Sequence, residues 1–304
     1  MSKLISVIIP SGRADRVFNT VEGLLNQEID RSEYEIIVVT PEPSKLQGLK
    51  AAGVCIMAVE RLFPPGKMRN IGADAASGEF LFFIDDDCIP PTDWLEVMQK
   101  ALKQENNIGV VGCRVIGLDK IFWCRCADYC LFSSYQYYKR NICDLGSAAI
   151  GVRRKAFEEV NGFDDELLAS EDWDLSLKMK EKNWTCVFDP LVEVQHDHRS
   201  NTLPKILVKA FKSGKYSGLI VQKRHIDHLS WLAELSVKTD SPLVYLLLII
   251  PYALAVTIFQ CLSFVRNDAK IYYYLPFILI ARISYHIGVW RTLMVQRRNK
   301  QVAI

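Results

Sequence analysis

The chain has 304 residues and a formal net charge of +2, with half of its residues hydrophobic and 24% charged. That length accommodates one large domain with an appendage, or two domains. So small a net charge gives no basic footprint for nucleic acid, and the apolar share fits a globular body with something further apolar attached.

In chain order, "LISVII" (4–9) is a short apolar run rich in β-branched residues, broken by "PSGR". A helix is predicted next, with Val17, Val21, Leu24 and Leu25 at helical spacing. "YEIIVVT" (34–40), "GVCIMAV" (53–59) and "FLFFI" (80–84) read as further strands. Strands apolar on both faces and separated by helical stretches predict a doubly wound, mostly parallel α/β sheet covered on both sides. "PPTDWLEVMQKAL" (90–102) begins a helix, and "IGVVGCRVIG" is strand-like and leads into an aromatic stretch. Residues 143–184 hold a small-residue strand, a helix, a glycine turn and a second helix opening at "SEDWDL"; "CVFDPLVEVQHDHR" (186–199) is a strand running into a histidine pair.

The nine cysteines are odd in number, and "MSKLISVIIPSG" has too short an apolar run for a secretory signal. The thiols are therefore read as reduced and the main body as cytosolic. "CRCADYC" (124–130) has no CxxC pair and no second matching cluster, so it reads as thiols on an aromatic, partly buried segment rather than as a zinc site.

Beyond residue 200 the character changes. Residues 199–240 carry eight basic and three acidic side chains. Lys205, Lys209 and Lys212 share one helical face, while Leu203, Leu207, Ala210 and Phe211 share the other. Such a helix suits an anionic bilayer, and suits equally a solvated helix packed on the main body. "PLVYLLLIIPYALAVTIFQCLSFV" (242–265) has no charge; its helix would reach about 36 Å, against a hydrocarbon core of about 30 Å, and is expected to span a membrane. "IYYYLPFILIARISYHIGVWRTLMV" (271–295) is either a second span or an interfacial helix, because Arg282 falls near its middle. The expected division is thus a main α/β domain over 1–200, a basic juxtamembrane segment over 201–240 and a membrane region over 241–304.

Four clusters carry potential chemistry, all at predicted strand ends or loops. "PSGR" supplies Pro10, Ser11 and Arg13. "PPGKMRNIGADAASGE" (64–79) sets Lys67 and Arg69 beside a helix start, which with nearby cations attracts phosphate and equally suits an ordinary solvated helix start. The triplet Asp85, Asp86 and Asp87 follows the fourth strand, at the carboxyl end where open parallel sheets bind ligands. If the chain continues extended, Asp85 and Asp87 point the same way about 6–7 Å apart and call for a cation such as Mg²⁺ or Mn²⁺. The same triplet also suits a plain acidic turn before a helix. Glu171 and Asp172 open a helix, where acidic residues are stabilised in any case, and His196 follows two dozen residues later.

The combination and order of "SVIIPSGR", "EIIVV", "RNIGADAASGEFLFFIDDDCIPP", "GFDDELLASEDWDLSLKMKEKNW" and "VEVQHDHR" resemble the family 2 glycosyltransferases, which have the GT-A fold. The resemblance covers about residues 4–200 and is most specific from Arg69 to Pro91. It implies a nucleotide-diphosphate sugar donor, held in part by the Arg-Asn-x-Gly string that Arg69 and Asn70 open, and an acidic DxD motif. Asp85 and Asp86 would face the nucleoside, and Asp87 would ligate the divalent metal. It implies Asp172 as the catalytic base beside Glu171, and His196 as a further ligand of the metal or diphosphate. Where members commonly have an aspartate after strand two to contact the base, this sequence has Thr40 and Pro41. Where Pro-Thr-Tyr-Asn is common, it has Pro-Ser-Gly-Arg, so the base need not be uracil. The apolar tail implies a lipid-linked or glycan acceptor and a catalytic domain on the cytoplasmic face of a bacterial inner membrane. A nucleotidyltransferase and a non-catalytic nucleotide-sugar-binding module are the alternatives, but the first leaves Glu171-Asp172 without a role.

Overall fold

The structure is a computed structural model that describes residues 4–131, 140–141, 145–224, 242–266 and 268–302. Two compact units divide the chain. Unit 1 comprises 1–118 and 135–198, and unit 2 comprises 119–134 and 199–304.

Unit 1 is one nine-stranded sheet with helices on both faces. Its elements begin β1 (Ile5–Pro10), α1 (Val17–Leu25), β2 (Tyr34–Thr40), a 3₁₀ turn (Pro43–Leu46), α2 (Gln47–Lys50) and β3 (Val54–Ala58). They continue α3 (Pro65–Ala75), β4 (Phe80–Ile84), β5 (Cys88–Ile89), α4 (Trp94–Lys103) and β6 (Ile108–Gly117). In unit 2, α5 (Phe122–Leu131) follows; the chain then returns to unit 1 for β7 (Arg140–Asn141), β8 (Ala149–Arg153), α6 (Arg154–Glu159), α7 (Glu171–Glu181) and β9 (Thr185–His196).

The strand order is β3-β2-β1-β4-β8-β6-β9-β5, with β7 paired to β9. β3, β2, β1 and β4 run parallel, and β6 is parallel to β9. β8 is antiparallel to both of its neighbours, and β5 is antiparallel to β9. The reading of a mostly parallel, doubly wound sheet holds. Alternation along each strand feeds two cores. Ile5, Val7, Ile9, Phe80, Phe82 and Ile84 pack on one face, and Ile8, Leu81 and Phe83 on the other. This is why these strands carry no polar face. Trp94 of α4 meets Phe82 edge-on at 5.4 Å on the first face. On the other side α3 lies so close to β1 that a Cβ on Gly72 would sit 2.4 Å from Ile8 Cγ2.

Unit 2 contains α5, α8 (Leu203–Arg224), α9 (Pro242–Phe264) and α10 (Ile271–Val302). The chain passes from unit 1 to unit 2 between 198 and 199, and 119–134 belongs with the C-terminal helices. The reason is aromatic packing. Phe122 and Trp123 of α5 meet Phe277 of α10 edge-on at 5.7 and 5.1 Å, and Tyr129 packs tilted on Tyr274 at 5.0 Å. Cys124, Cys126 and Cys130 are buried free thiols within α5. α9 is the one helix among the described residues long and apolar enough to cross a membrane, over Leu243–Phe264. α10 does not reach that apolarity; Arg282 and Arg291 interrupt it. Residues 225–241 of the basic segment lie outside the described residues.

Candidate active site

The carboxyl ends of β1, β2 and β4 and the N-terminus of α7 bring the site residues together. β4 stops at Ile84 because the three carboxylates after it cannot share its buried environment. The triplet does not continue as extended chain. It folds into a turn closed by the Cys88 N–H donating to the Asp85 carbonyl at 3.1 Å, with Asp85 N–H held by the Ala148 carbonyl. The three side chains therefore diverge to three different partners, which corrects the expected side-by-side placement of Asp85 and Asp87.

Asp85 accepts from Arg69 Nη2 at 2.6 Å, and the same guanidinium donates through Nη1 to Glu171 at 2.6 Å. Arg69 is 2% exposed and Glu171 is buried. Burial pulls the Arg69 guanidinium down, but Asp85 and Glu171 outweigh it and hold it above its ordinary range. Burial raises the Asp85 carboxyl, and Arg69 works against that rise. One buried cation thus ties the turn after β4 to the start of α7, across 102 residues of sequence between Arg69 and Glu171. The approach needs a small residue. A Cβ on Gly66, in the first turn of α3, would sit 2.9 Å from the Asp164 carbonyl oxygen.

Asp86 accepts from Ser11 Oγ at 3.0 Å. Burial and the neighbouring Asp87 push its carboxyl up to about 6, against the Ser11 hydrogen bond. Asp87 meets Arg16 Nη1 at 2.7 Å through one oxygen and His196 Nε2 at 3.1 Å through the other. β5 pairs with β9 here, Cys88 opposite His196, and this pairing delivers the imidazole to the triplet.

Asp172 stands apart from its neighbour Glu171. It is half-buried, and it accepts two backbone N–H groups, from Ser147 at 3.1 Å and from Trp173 at 2.8 Å. The Ser147 hydroxyl reaches Glu171 at 3.5 Å. Asp172 is thus positioned by main chain, at a helix N-terminus that suits negative charge.

The remaining predicted residues sit around this frame. Pro10 ends β1, Ser11 is buried beneath Asp86, and Arg13 is exposed. Thr40 is buried at the end of β2, where its hydroxyl accepts from the Glu42 N–H at 3.1 Å. Lys67 lies over the Phe63 ring at 4.7 Å and 3.9 Å from Asp165. Asn70 is drawn into structure: its amide donates to the Phe163 carbonyl and to Asp165, and its oxygen accepts the Phe163 N–H. It latches the turn at Gly162, whose φ of +59° suits glycine.

Asp87, Cys88 and His196 place one ligand atom each within 4.8 Å of one another. A carboxylate oxygen and an imidazole suit Mn²⁺, and a hard oxygen suits Mg²⁺, with open positions left for substrate oxygens. Burial, then Asp85 and Asp87, drive the Cys88 thiol well above its usual range, so it remains protonated and is a poor ligand. The residues therefore fit a two-ligand site for a divalent cation. Asp85, expected to share in it, is turned to Arg69. Arg16, Cys88 and Ser147 were not singled out by sequence. Only the position of Cys88 directly after the triplet offered any signal.

A mixed, mostly parallel sheet with acidic residues gathered at its strand ends is the architecture of GT-A glycosyltransferases. The family model described as glycosyl transferase family 2 matches residues 6–160, and the chain belongs to that family. A pre-mycofactocin glycosyltransferase of Mycobacterium tuberculosis is 30% identical over 171 residues, covering 54% of this chain and 36% of that protein. The chain thus matches about a third of that relative's length. Glycosyltransferase AglE of Haloferax volcanii is 24% identical over 232 residues, 69% of this chain and 72% of that one. Among solved structures, the mannosyltransferase PcManGT from Pyrobaculum calidifontis, in complex with GDP-Man and Mn²⁺, superposes with a TM-score of 0.64. The identity is 15%, over 95% of this chain and 86% of that one. S. aureus TarS 1–349 in complex with UDP-GlcNAc gives 0.54 at 15% identity, covering 97% and 92%.

Proposed function

We propose that this chain is a metal-dependent, inverting transferase that moves a hexose from a nucleotide-diphosphate sugar to a hydroxyl of a lipid-linked or cell-surface glycan acceptor. It would work at the cytoplasmic face of a bacterial inner membrane. The observation that carries this reading is the Arg69 bridge, which joins the donor-side turn (Asp85) to the acceptor-side helix (Glu171) at 2.6 Å on each side.

The chemical difficulty is the negative charge that develops on the departing diphosphate. A Mg²⁺ or Mn²⁺ ion held by Asp87 and His196 would supply Lewis-acid stabilisation of that charge. Among the chain's own groups, half-buried Lys67 and exposed Arg13 are cations near the strand ends and would bind diphosphate oxygens. Arg69 is already committed to Asp85 and Glu171, so it orients rather than binds. Asp86, anchored by Ser11, and the Pro10 and Thr40 strand ends would line the nucleoside side. Thr40 offers a hydroxyl where a carboxylate is common, which favours a donor whose base is not recognised through a carboxylate.

Asp172 would take the proton from the acceptor hydroxyl. Its two main-chain hydrogen bonds fix its position, and it is the more accessible of the adjacent pair. General-base catalysis of this kind contributes typically about 10²–10⁴-fold. Attack from the side opposite the diphosphate inverts the anomeric centre. The test is Asp172→Asn, assayed for donor binding and sugar transfer separately. Transfer should fall by that factor while donor binding is unchanged. Wild-type turnover by the variant removes Asp172 from the mechanism. Release of pyrophosphate from a nucleoside triphosphate and a sugar phosphate would instead assign a nucleotidyltransferase.

A further inference from the structure

Unit 2 carries a cationic pocket that the transfer reaction does not use. It has a volume of about 340 Å³ and is lined by Lys120, Arg125, Tyr129, Asp268, Lys270 and Tyr274. It lies between α5 and the turn joining α9 to α10. Tyr129 donates from its hydroxyl to Asp268, and its ring stacks on Tyr274 with centroids 5.0 Å apart. Among the described residues, Lys120, Arg125 and Lys270 make no ion pair. Three cations against one carboxylate, itself held by a tyrosine, leave the pocket net positive and suited to a phosphate.

The surroundings are those of a lipid boundary. Lys120 is followed by exposed Ile121 and Phe122, and Lys270 closely by exposed Tyr272 and Tyr273. Cations beside exposed aromatic rings are the composition of a membrane interface. α9 is also inverted relative to a helix in water. Its outward stripe includes Leu243, Leu247, Ile250, Leu254, Ile258 and Leu262, with Leu247 72% exposed, while Thr257 and Gln260 are turned inward and buried. α10 and α8 pack through glycine. A Cβ on Gly288 would stand 2.2 Å from the Phe211 carbonyl oxygen, a closeness common between helices in lipid.

Chain connectivity limits how this apolar stripe can meet a bilayer. α5 belongs to a 16-residue excursion, 119–134, bonded at both ends to unit 1. The α9–α10 turn rests on it, through Tyr129 to Asp268 and through Gln260 Nε2 to the Tyr129 carbonyl at 2.7 Å. For that turn to lie across a membrane, the excursion would have to cross about 30 Å of hydrocarbon twice. Sixteen residues reach at most about 58 Å fully extended, and α5 alone folds 10 of them into helix. The turn therefore stays on the side of the peptide bonds that join α5 to unit 1. α9 could then cross only if α8 had crossed first, or the 225–241 segment did so. α8 runs alongside α10, with Ser284 bonded to the Leu207 carbonyl and Thr292 to the Lys215 carbonyl, both at 2.9 Å. It carries Lys205, Lys209, Lys212 and Lys215, all exposed. Such a helix is costly to place in hydrocarbon and is at ease on an anionic surface, and the 225–241 sequence, with Asp227, Glu234, Lys238 and Asp240, is costly there too.

We infer that unit 2 is a dock that enters one leaflet without crossing it, and that the pocket at the α9–α10 turn holds the phosphate of a lipid head group. This deepens the membrane placement proposed above, and it rests on that placement rather than on the transfer chemistry. α9 lies along the leaflet with its leucine stripe among the acyl chains, and the head-group phosphate sits between Lys120, Arg125 and Lys270.

Two measurements on the full chain test this, and neither uses sugar transfer, so a failure here leaves the catalytic reading standing. The first labels Ala269→Cys, at an exposed turn position, with a membrane-impermeant maleimide in right-side-out and inverted membrane vesicles. The exposed Cys55 of unit 1 serves as the internal marker of sidedness. Labelling from the same face as Cys55 is expected; labelling of Ala269→Cys only from the opposite face overturns the proposal. The second compares flotation of the wild type and of a Lys120→Ala, Arg125→Ala, Lys270→Ala triple variant. The vesicles are phosphatidylcholine with and without phosphatidylglycerol. The variant should bind the anionic vesicles about 100-fold more weakly than the wild type, with its binding to neutral vesicles unchanged. Equal binding of both proteins to anionic vesicles overturns the pocket assignment. So does inorganic phosphate that raises thermal stability through these three residues while vesicles do not bind, because the phosphate is then not a lipid's.

Discussion

The two halves of the candidate site handle charge differently. On one side Asp85 and Glu171 are clamped by a single buried guanidinium, with both contacts at 2.6 Å and Arg69 2% exposed. On the other, Asp87 is shared between Arg16 and His196, and Asp172 is held by main-chain N–H groups. The first arrangement is a structural lattice, because a buried charge that loses its partner is expensive. The second leaves carboxylates positioned, and in the proposed reaction they would exchange a partner for a cation or a substrate hydroxyl. Acidic residues adjacent in sequence thus differ in surroundings, and the adjacent pair Glu171 and Asp172 is the sharpest instance.

That contrast can be attacked from the clamped side first. Arg69→Met should strand Asp85 and Glu171 and cost about 3–5 kcal/mol of stability, read by urea denaturation. A loss under 1 kcal/mol would mean that the clamp is not structural. Gly72→Ala drives a methyl into Ile8 and shifts α3, the helix that carries Arg69. It should cost about 1–3 kcal/mol, and a neutral result would show that α3 has room to move. Ser11→Ala removes one hydrogen bond to Asp86 and should cost about 1 kcal/mol. A substantially larger loss in the same denaturation assay would place Asp86 in the framework rather than at the donor.

Much of this was legible in the sequence because the sheet is parallel and buried on both faces. "LISVII", "YEIIVVT" and "FLFFI" announce themselves as strands since both faces are buried and take mainly apolar residues, and the acidic triplet marks where β4 must end. The conformation of the triplet was not legible. Alternation along a strand predicts Asp85 and Asp87 side by side, but the turn closed by Cys88 N–H and the Asp85 carbonyl sends them apart. Arg16 was invisible because its partner lies 71 residues away and nothing local marks it. Asn70, expected at the nucleotide, is taken up by the turn at Phe163. The aromatic segment after β6 gave no sign of its own partners, since Tyr129 finds Asp268 at a separation of 139 residues. Long-range pairing of this sort depends on the packed fold, which local periodicity does not encode.

The central claim is that Asp87 and His196 hold a divalent cation for a nucleoside diphosphate in the same cleft as Asp172. It is tested most directly by the thermal stability of the wild type, Asp87→Asn and His196→Ala with GDP or UDP, in Mn²⁺ and in EDTA, since only a ligand of the native state raises its melting temperature. The account predicts a diphosphate-induced rise in the wild type that requires Mn²⁺ and is lost in both variants. An equal rise in EDTA, or in Asp87→Asn with Mn²⁺, would contradict it.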